Sequence, residues 1–563
     1  MRRHPLLAPL AVLALLAATL PIAVAAQGRG AMTFTRADTL RGSDGPGRAW
    51  WDATFYDLNV RVMPADSSLA GWNAITYRVV APRDAGQEMQ IDLQPPLEMD
   101  SVVQNGRALA YRRDGNAFFV EVAEPQRVGD VRTVALHYHG RPRVAVRPPW
   151  DGGYAWETDE LGNPWVSTSN QGLGASVWWP TKDFMSEEPD SQRIAITVPD
   201  PMVDVSNGRL RSTTHNGDGT TTYEWFVASP INNYSVSVNA GSYVHWREEF
   251  AGELGTLTLD FWPLAVHEED ARRQWAQVRP MMECFEHWFG PYPWYEDGYK
   301  LVEAPYLGME HQSAVTYGNG FANGYRGTDL SETGQGLLWD FIIIHESAHE
   351  WWGNNITAAD GADLWIHEGF ANYSENLYTE CLTGSKDAGA EYVIGTRASP
   401  RAGIRNDRPI VGHYGVNDEG SADRYYKGGN LLHTVRQLVD DDARWRNILR
   451  GLNEDFRRSN VTTAQVEDYI SRGSGMDLSR VFDQYLRTTM VPVFEYRLEG
   501  EVLRYRWTNV VEGFDMPVRV TVEPGSFAWL RPTAVWQTVE VGLTAPEQVT
   551  VDDDFYVEVR AGG

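Results

Sequence analysis

Two short stretches of the 563-residue chain carry residue types that could hold a metal and move protons. One is His345-Glu346-Ser347-Ala348-His349; the other is Glu368, set in Trp365-Ile366-His367-Glu368-Gly369-Phe370-Ala371. Residues four apart on a helix lie one turn above each other on the same face, so His345 and His349 can present two imidazoles to a single ion. Glu346 then stands beside that ion, where a carboxylate can serve as general base. A catalytic Zn2+ takes three protein ligands and leaves a fourth position to water, whose pKa falls to about 7. Glu368 is placed to be the third ligand. The eighteen residues 350–367 let the chain leave one helix, turn between Gly353 and Gly361, and send a second helix back across the metal. The apolar run from Leu337 to Ile344 predicts a buried helix that carries the motif into an interior site.

Three more segments belong with this centre. Gly308-Met309-Glu310-His311 follows Leu307, Tyr425-Tyr426-Lys427-Gly428 lies further on, and Gln171 stands nine residues ahead of Pro180. With the setting of Glu368 from Trp365 to Tyr373, they resemble the aminopeptidase N family of zinc metallopeptidases, the gluzincin aminopeptidases related to leukotriene hydrolase. The resemblance covers residues from about 50 to 490. It implies one Zn2+ held by His345, His349 and Glu368, with Glu346 as general base. It also implies that Glu310 binds the free α-ammonium group of a peptide, and that Gly308 and Met309 offer a strand edge to the substrate backbone. Tyr425 would donate its hydroxyl to the oxyanion, and Gln171 would help Glu310 hold the amine and shape the pocket for the first side chain. The family pattern has asparagine where this chain has His311, which leaves open how the turn after Glu310 is pinned.

The elements that must position these residues divide the chain. Residues 1–26, with Arg2 and Arg3, an apolar core from Leu6 to Val24 and Ala23-Val24-Ala25, read as a signal peptide, and residues 27–49 as a linker rich in Gly and Arg. Residues 50–245 show strand alternation, as at Tyr56, Leu58, Val60 and Val62, and predict an all-β domain. By resemblance this is the family's saddle-shaped amino-terminal domain. Its aromatic stretch Trp150, Tyr154, Trp156, Trp165, Trp178 and Trp179 is expected mostly to pack against the catalytic domain; sugar stacking in a carbohydrate-binding module is the alternative. Residues 246–490 turn helical, with segments from His267 to Trp288, around the zinc motif, from Glu368 to about Tyr378, and at 430–439, 466–470 and 477–487. By resemblance this is a thermolysin-like, mainly α catalytic domain. Residues 491–563 return to alternation at Leu503, Tyr505 and Trp507, which predicts a small β-sandwich-like cap. The fold class is multidomain α+β. The large helical carboxy-terminal domain of many family members is not expected, which would leave the site more open unless a homo-oligomer partner covers it.

Net charge of -27 argues against a nucleic-acid partner, because phosphate contact needs a basic face. After the first segment no apolar run reaches the roughly 20 residues of a membrane span, so no membrane anchor is expected and the product should be exported, periplasmic or secreted. Cys284 and Cys381 are too few for a disulfide framework; they could pair in an oxidising compartment, although both fall on helical stretches. The expected function is a secreted zinc aminopeptidase acting on peptides with a free amino terminus. A thermolysin-like zinc endopeptidase would share the metal residues without needing Glu310. A non-catalytic peptide-binding protein on the same fold would need neither Glu346 nor Tyr425.

Overall fold

Alternation of apolar and polar residues makes Trp51–Met63 a strand with Tyr56, Leu58, Val60 and Val62 buried on one face. It pairs antiparallel with Ser68–Val79 and parallel with Ser191–Pro199, at the centre of an eight-stranded sheet. A four-stranded sheet containing Pro164–Ser169 and a three-stranded sheet containing Ala117–Val120 complete this amino-terminal β domain. The computed structural model describes residues 32–84 and 86–562, so the expected signal peptide lies outside the described residues. No helix among them is long and apolar enough to cross a membrane.

Two sequence expectations change here. Residues 36–42, within the stretch read as linker, form a helix capped reciprocally by Thr35 and Asp38. No residue of this helix is buried, but hydrogen bonds hold it to both neighbours. Arg48 is fully buried, pairs with Asp92 at 2.5 Å and donates to the Ser43 carbonyl, while the Asn417 amide donates to the Asp38 carbonyl at 3.1 Å. The second change concerns the aromatic stretch. Trp178 and Trp179 are buried with Tyr154 in the amino-terminal domain's own core, not against the catalytic domain.

The second region is built on a five-stranded sheet in the order Trp246–Gly252, Gly255–Trp262, Tyr299–Glu303, Val315–Tyr317 and Gly308–Met309. The short strand Gly308–Met309 therefore forms a sheet edge. Against the sheet lies the helix Phe341–Ala348, which holds the first metal motif. All its residues are buried, as its all-round apolar sequence requires. Asp340 fixes its start by accepting from the amides of Ile342 and Ile343, and also accepts from Gln274, Tyr317 and Asn319. Gly308 is needed where the edge strand crosses this helix, since a Cβ there would meet Ile342 Cγ2 at 2.7 Å.

Three helices expected from the sequence are present as Trp365–Thr383, Tyr426–Val439 and Thr463–Ser474. The helices Lys386–Gly395 and Asp442–Asp455 were not anticipated. Residues 493–561 form a four-stranded and a two-stranded sheet whose buried residues, among them Phe494, Trp507 and Phe555, belong to the same core as the catalytic helices.

The pairing that the sequence left open is settled by helix packing. Cys284 in Val278–Phe289 and Cys381 in Trp365–Thr383 form a disulfide across a Cα separation of 6.0 Å. The bond ties together chain positions 97 residues apart. Replacing both cysteines by serine is expected to lower stability by about 2–4 kcal/mol, read as a lower denaturation midpoint in urea. Adding reductant should then change the wild type and not the double variant.

Candidate active site

The two metal motifs meet because helices Phe341–Ala348 and Trp365–Thr383 pack on each other. His345 lies in the last turn of the first helix, His349 caps its end, and Glu368 lies in the first turn of the second. Glu368 Oε2 makes no hydrogen bond, yet lies 3.5 Å from His345 Nε2 and 3.4 Å from His349 Nε2. The opposite ring nitrogens are committed elsewhere. His345 Nδ1 donates to Glu375 Oε1 at 2.8 Å and His349 Nδ1 to the Trp352 carbonyl at 2.9 Å. Each imidazole is thereby fixed as the tautomer whose Nε2 lone pair faces Glu368. Two imidazole nitrogens and one orphaned buried carboxylate oxygen converging on a point are the donor set of a catalytic zinc, and the residues fit Zn2+.

The other predicted site residues surround this centre. Glu310, Glu346 and His349 offer donor atoms within 4.8 Å of one another. Glu310 is 2% exposed, and its Oε1 accepts from Gln171 Nε2 at 2.8 Å and from the Tyr234 hydroxyl at 3.2 Å. Gln171 Nε2 also reaches Glu368 Oε1 at 3.1 Å, so one amide bridges the carboxylates of Glu310 and Glu368. The Tyr425 hydroxyl donates to Glu368 Oε1 at 2.9 Å. Gly308 and Met309 lie on the same cleft, lined also by Pro149, Trp150, Leu307, Tyr325, Phe341 and Tyr426.

Close helix crossing explains why Tyr425 stands here. A Cβ on Gly428 would meet the Gly369 Cα at 2.9 Å, so a glycine at 428 lets the Tyr426–Val439 helix approach Trp365–Thr383 this closely. Lys427 of the same motif does not enter the cleft; its ammonium donates to the Thr488 carbonyl at 3.0 Å. The motif thus holds one reactive residue and the two that seat it.

Burial pushes the Glu346 carboxyl up to about 7, and it raises Glu310 as well. A base that titrates near neutrality is suited to taking a proton from water and giving it up again.

The turn after Glu310 is held by neighbours. Asn354 Nδ2 donates to the Glu310 carbonyl at 2.9 Å, and Glu350 accepts from the Ser313 amide at 2.8 Å. His311 is buried with both ring nitrogens unpartnered, and burial pushes its pKa down to about 3, so it sits there neutral and does not line the cleft. Tyr234, Asn354 and Glu375 are site residues that no sequence motif singled out. Glu375, seven residues after Glu368 on the same helix, could have been found from helical spacing alone.

The comparisons agree with this geometry. Residues 275–485 match the model of the Peptidase family M1 domain. Human aminopeptidase B is 23% identical over 531 residues, covering 86% of this chain and 72% of its own length. A leucyl aminopeptidase of Saccharolobus solfataricus is 23% identical over 54% of this chain and 40% of its own. Among solved structures, an M1 zinc metallopeptidase from Deinococcus radiodurans superposes with a TM-score of 0.65 at 22% identity, over 79% of this chain and 95% of that one. Fold, zinc site and family model together support a zinc metallopeptidase. Residues 275–485 carry the part of the chain that matches peptidase family M1.

Because Glu375 orients His345, Glu375→Ala should weaken zinc retention by roughly 10- to 100-fold. Titration of the zinc-loaded protein with a competing chelator measures this without reference to turnover.

Proposed function

We propose that the protein is an exported zinc aminopeptidase that removes residues one at a time from the free amino terminus of peptides. The observation that carries this reading is the distance from Glu310 to the metal residues. A buried carboxylate whose oxygen lies within 4.8 Å of His349 and Glu346 donor atoms would hold an α-ammonium group one residue's length from the reacting carbonyl. A thermolysin-like endopeptidase has no use for a carboxylate there.

Zinc held by His345, His349 and Glu368 supplies Lewis acidity and lowers the pKa of water. Glu346 accepts a proton from the attacking water and returns it to the leaving nitrogen as the C–N bond breaks. Tyr425 moves its hydroxyl proton from Glu368 Oε1 to the substrate oxygen as negative charge develops there. Glu310 takes the α-ammonium group, with Tyr234 and Gln171 fixing the orientation of its carboxylate. The edge strand Gly308–Met309 offers backbone groups on which the substrate can lie as an added strand.

Export is supported by the amino-terminal segment of the sequence and by the Cys284–Cys381 disulfide, a bond that persists in oxidising compartments.

One short peptide, offered with its amino terminus free and then acetylated, tests the reading. The zinc-loaded protein should cut only the free form, from the amino end; internal cleavage of both forms would make it an endopeptidase. Glu346→Gln should keep its zinc and lose activity by about 10²- to 10⁴-fold or more, measured by metal content alongside kcat. Glu310→Ala should raise KM for free peptides and erase the preference over acetylated ones. A preference that survives would mean another group reads the terminus.

A further inference from the structure

Most tryptophans of the chain are buried, but Trp150 is 62% exposed at the mouth of the active-site cleft. Exposure of so large an apolar surface costs free energy in the unliganded protein. Asp151 closes the loop beneath it, its carboxylate accepting from the amides of Val146 and Arg147 at 2.5 and 2.8 Å. The Trp150 amide donates to the Arg147 carbonyl at 3.0 Å.

The loop rests on the segment that carries Gln171. Gly152, at φ +64°, packs so closely that a Cβ would lie 3.1 Å from Leu173, and the Leu173 amide donates to the Gln171 carbonyl at 2.8 Å. Trp150 and Gln171 are therefore mounted on one piece of the amino-terminal domain.

On the strand side the cleft lining ends at Glu310 and includes Met309, Gly308 and Leu307; His311 and the residues just after it are not part of it. A peptide whose amine is held at Glu310 and whose backbone lies on the Gly308–Met309 edge runs on towards Leu307. The same cleft is lined by Trp150 from the amino-terminal domain and by Tyr325, Phe341 and Tyr426. Among the described residues no lysine or arginine lines this cleft, while Glu310 and Glu346 do, so an acidic side chain would find no partner there.

We propose that Trp150 is a specificity-determining residue that receives the apolar or aromatic side chain of the residue following the scissile bond. The inference rests on the aminopeptidase reading, which fixes the amine at Glu310. An aromatic ring against the indole face contributes beyond its buried area.

The test uses calorimetric binding to the zinc-loaded Glu346→Gln protein, so that no turnover intervenes. The probes are Ala-Phe-Ala, Ala-Gly-Ala and acetylated Ala-Phe-Ala. The phenylalanine peptide should bind about tenfold more tightly than the glycine peptide. Adding Trp150→Ala should bring that ratio close to one, and Trp150→Phe should keep most of it. The same ratio should appear in kcat/KM of the enzyme with Glu346 intact. A ratio unchanged by Trp150→Ala, or no preference at the outset, overturns the proposal, as does a failure of both free peptides to bind. Acetylated peptide bound as tightly as the free one would overturn the amine anchor at Glu310 separately, because the phenylalanine-to-glycine ratio still reports on Trp150.

Discussion

The active site is organised by a crowding of negative charge. Glu310, Glu346 and Glu368 are all buried in one cleft, and neither lysine nor arginine lines it. Three carboxylates in so small a space repel one another and are expensive to desolvate. A divalent metal between Glu368 and the histidines would relieve the arrangement, and on the reading proposed above so would an ammonium group at Glu310. The raised carboxyl of Glu346 follows from the same crowding and burial.

Much of this centre was legible because helical periodicity is local. His345, Glu346 and His349 are placed relative to one another by one turn of helix, and Glu368 by a second helix of fixed sense. The edge position of Gly308–Met309 also matched expectation, since the strand is short and the glycine must pass under Ile342. Tyr234 and Asn354 were not legible. Each reaches Glu310 across more than forty residues of chain, from segments that carry no periodic signal.

The strap at 36–42 shows a different limit. Its Gly and Arg content suggested a linker, but Arg48 is buried against Asp92, and composition does not reveal which charges have a partner waiting. A Thr35–Asp38 capping box was present in the sequence and outweighs composition as evidence of structure. The disulfide escaped for a related reason: neither cysteine has a spacing signature, and only the packing of two helices brings them together.

The glycine contact between residues 369 and 428 has a mechanical meaning. With backbone against backbone there is no side chain at the crossing to flex or repack, so the two helices transmit displacement directly. Glu368 is one residue from the contact on one helix, and Tyr425 precedes the start of the other. Glu368 and the Tyr425 hydroxyl that donates to it are in effect mounted on one rigid joint. A displacement of either helix at this crossing would move both residues together.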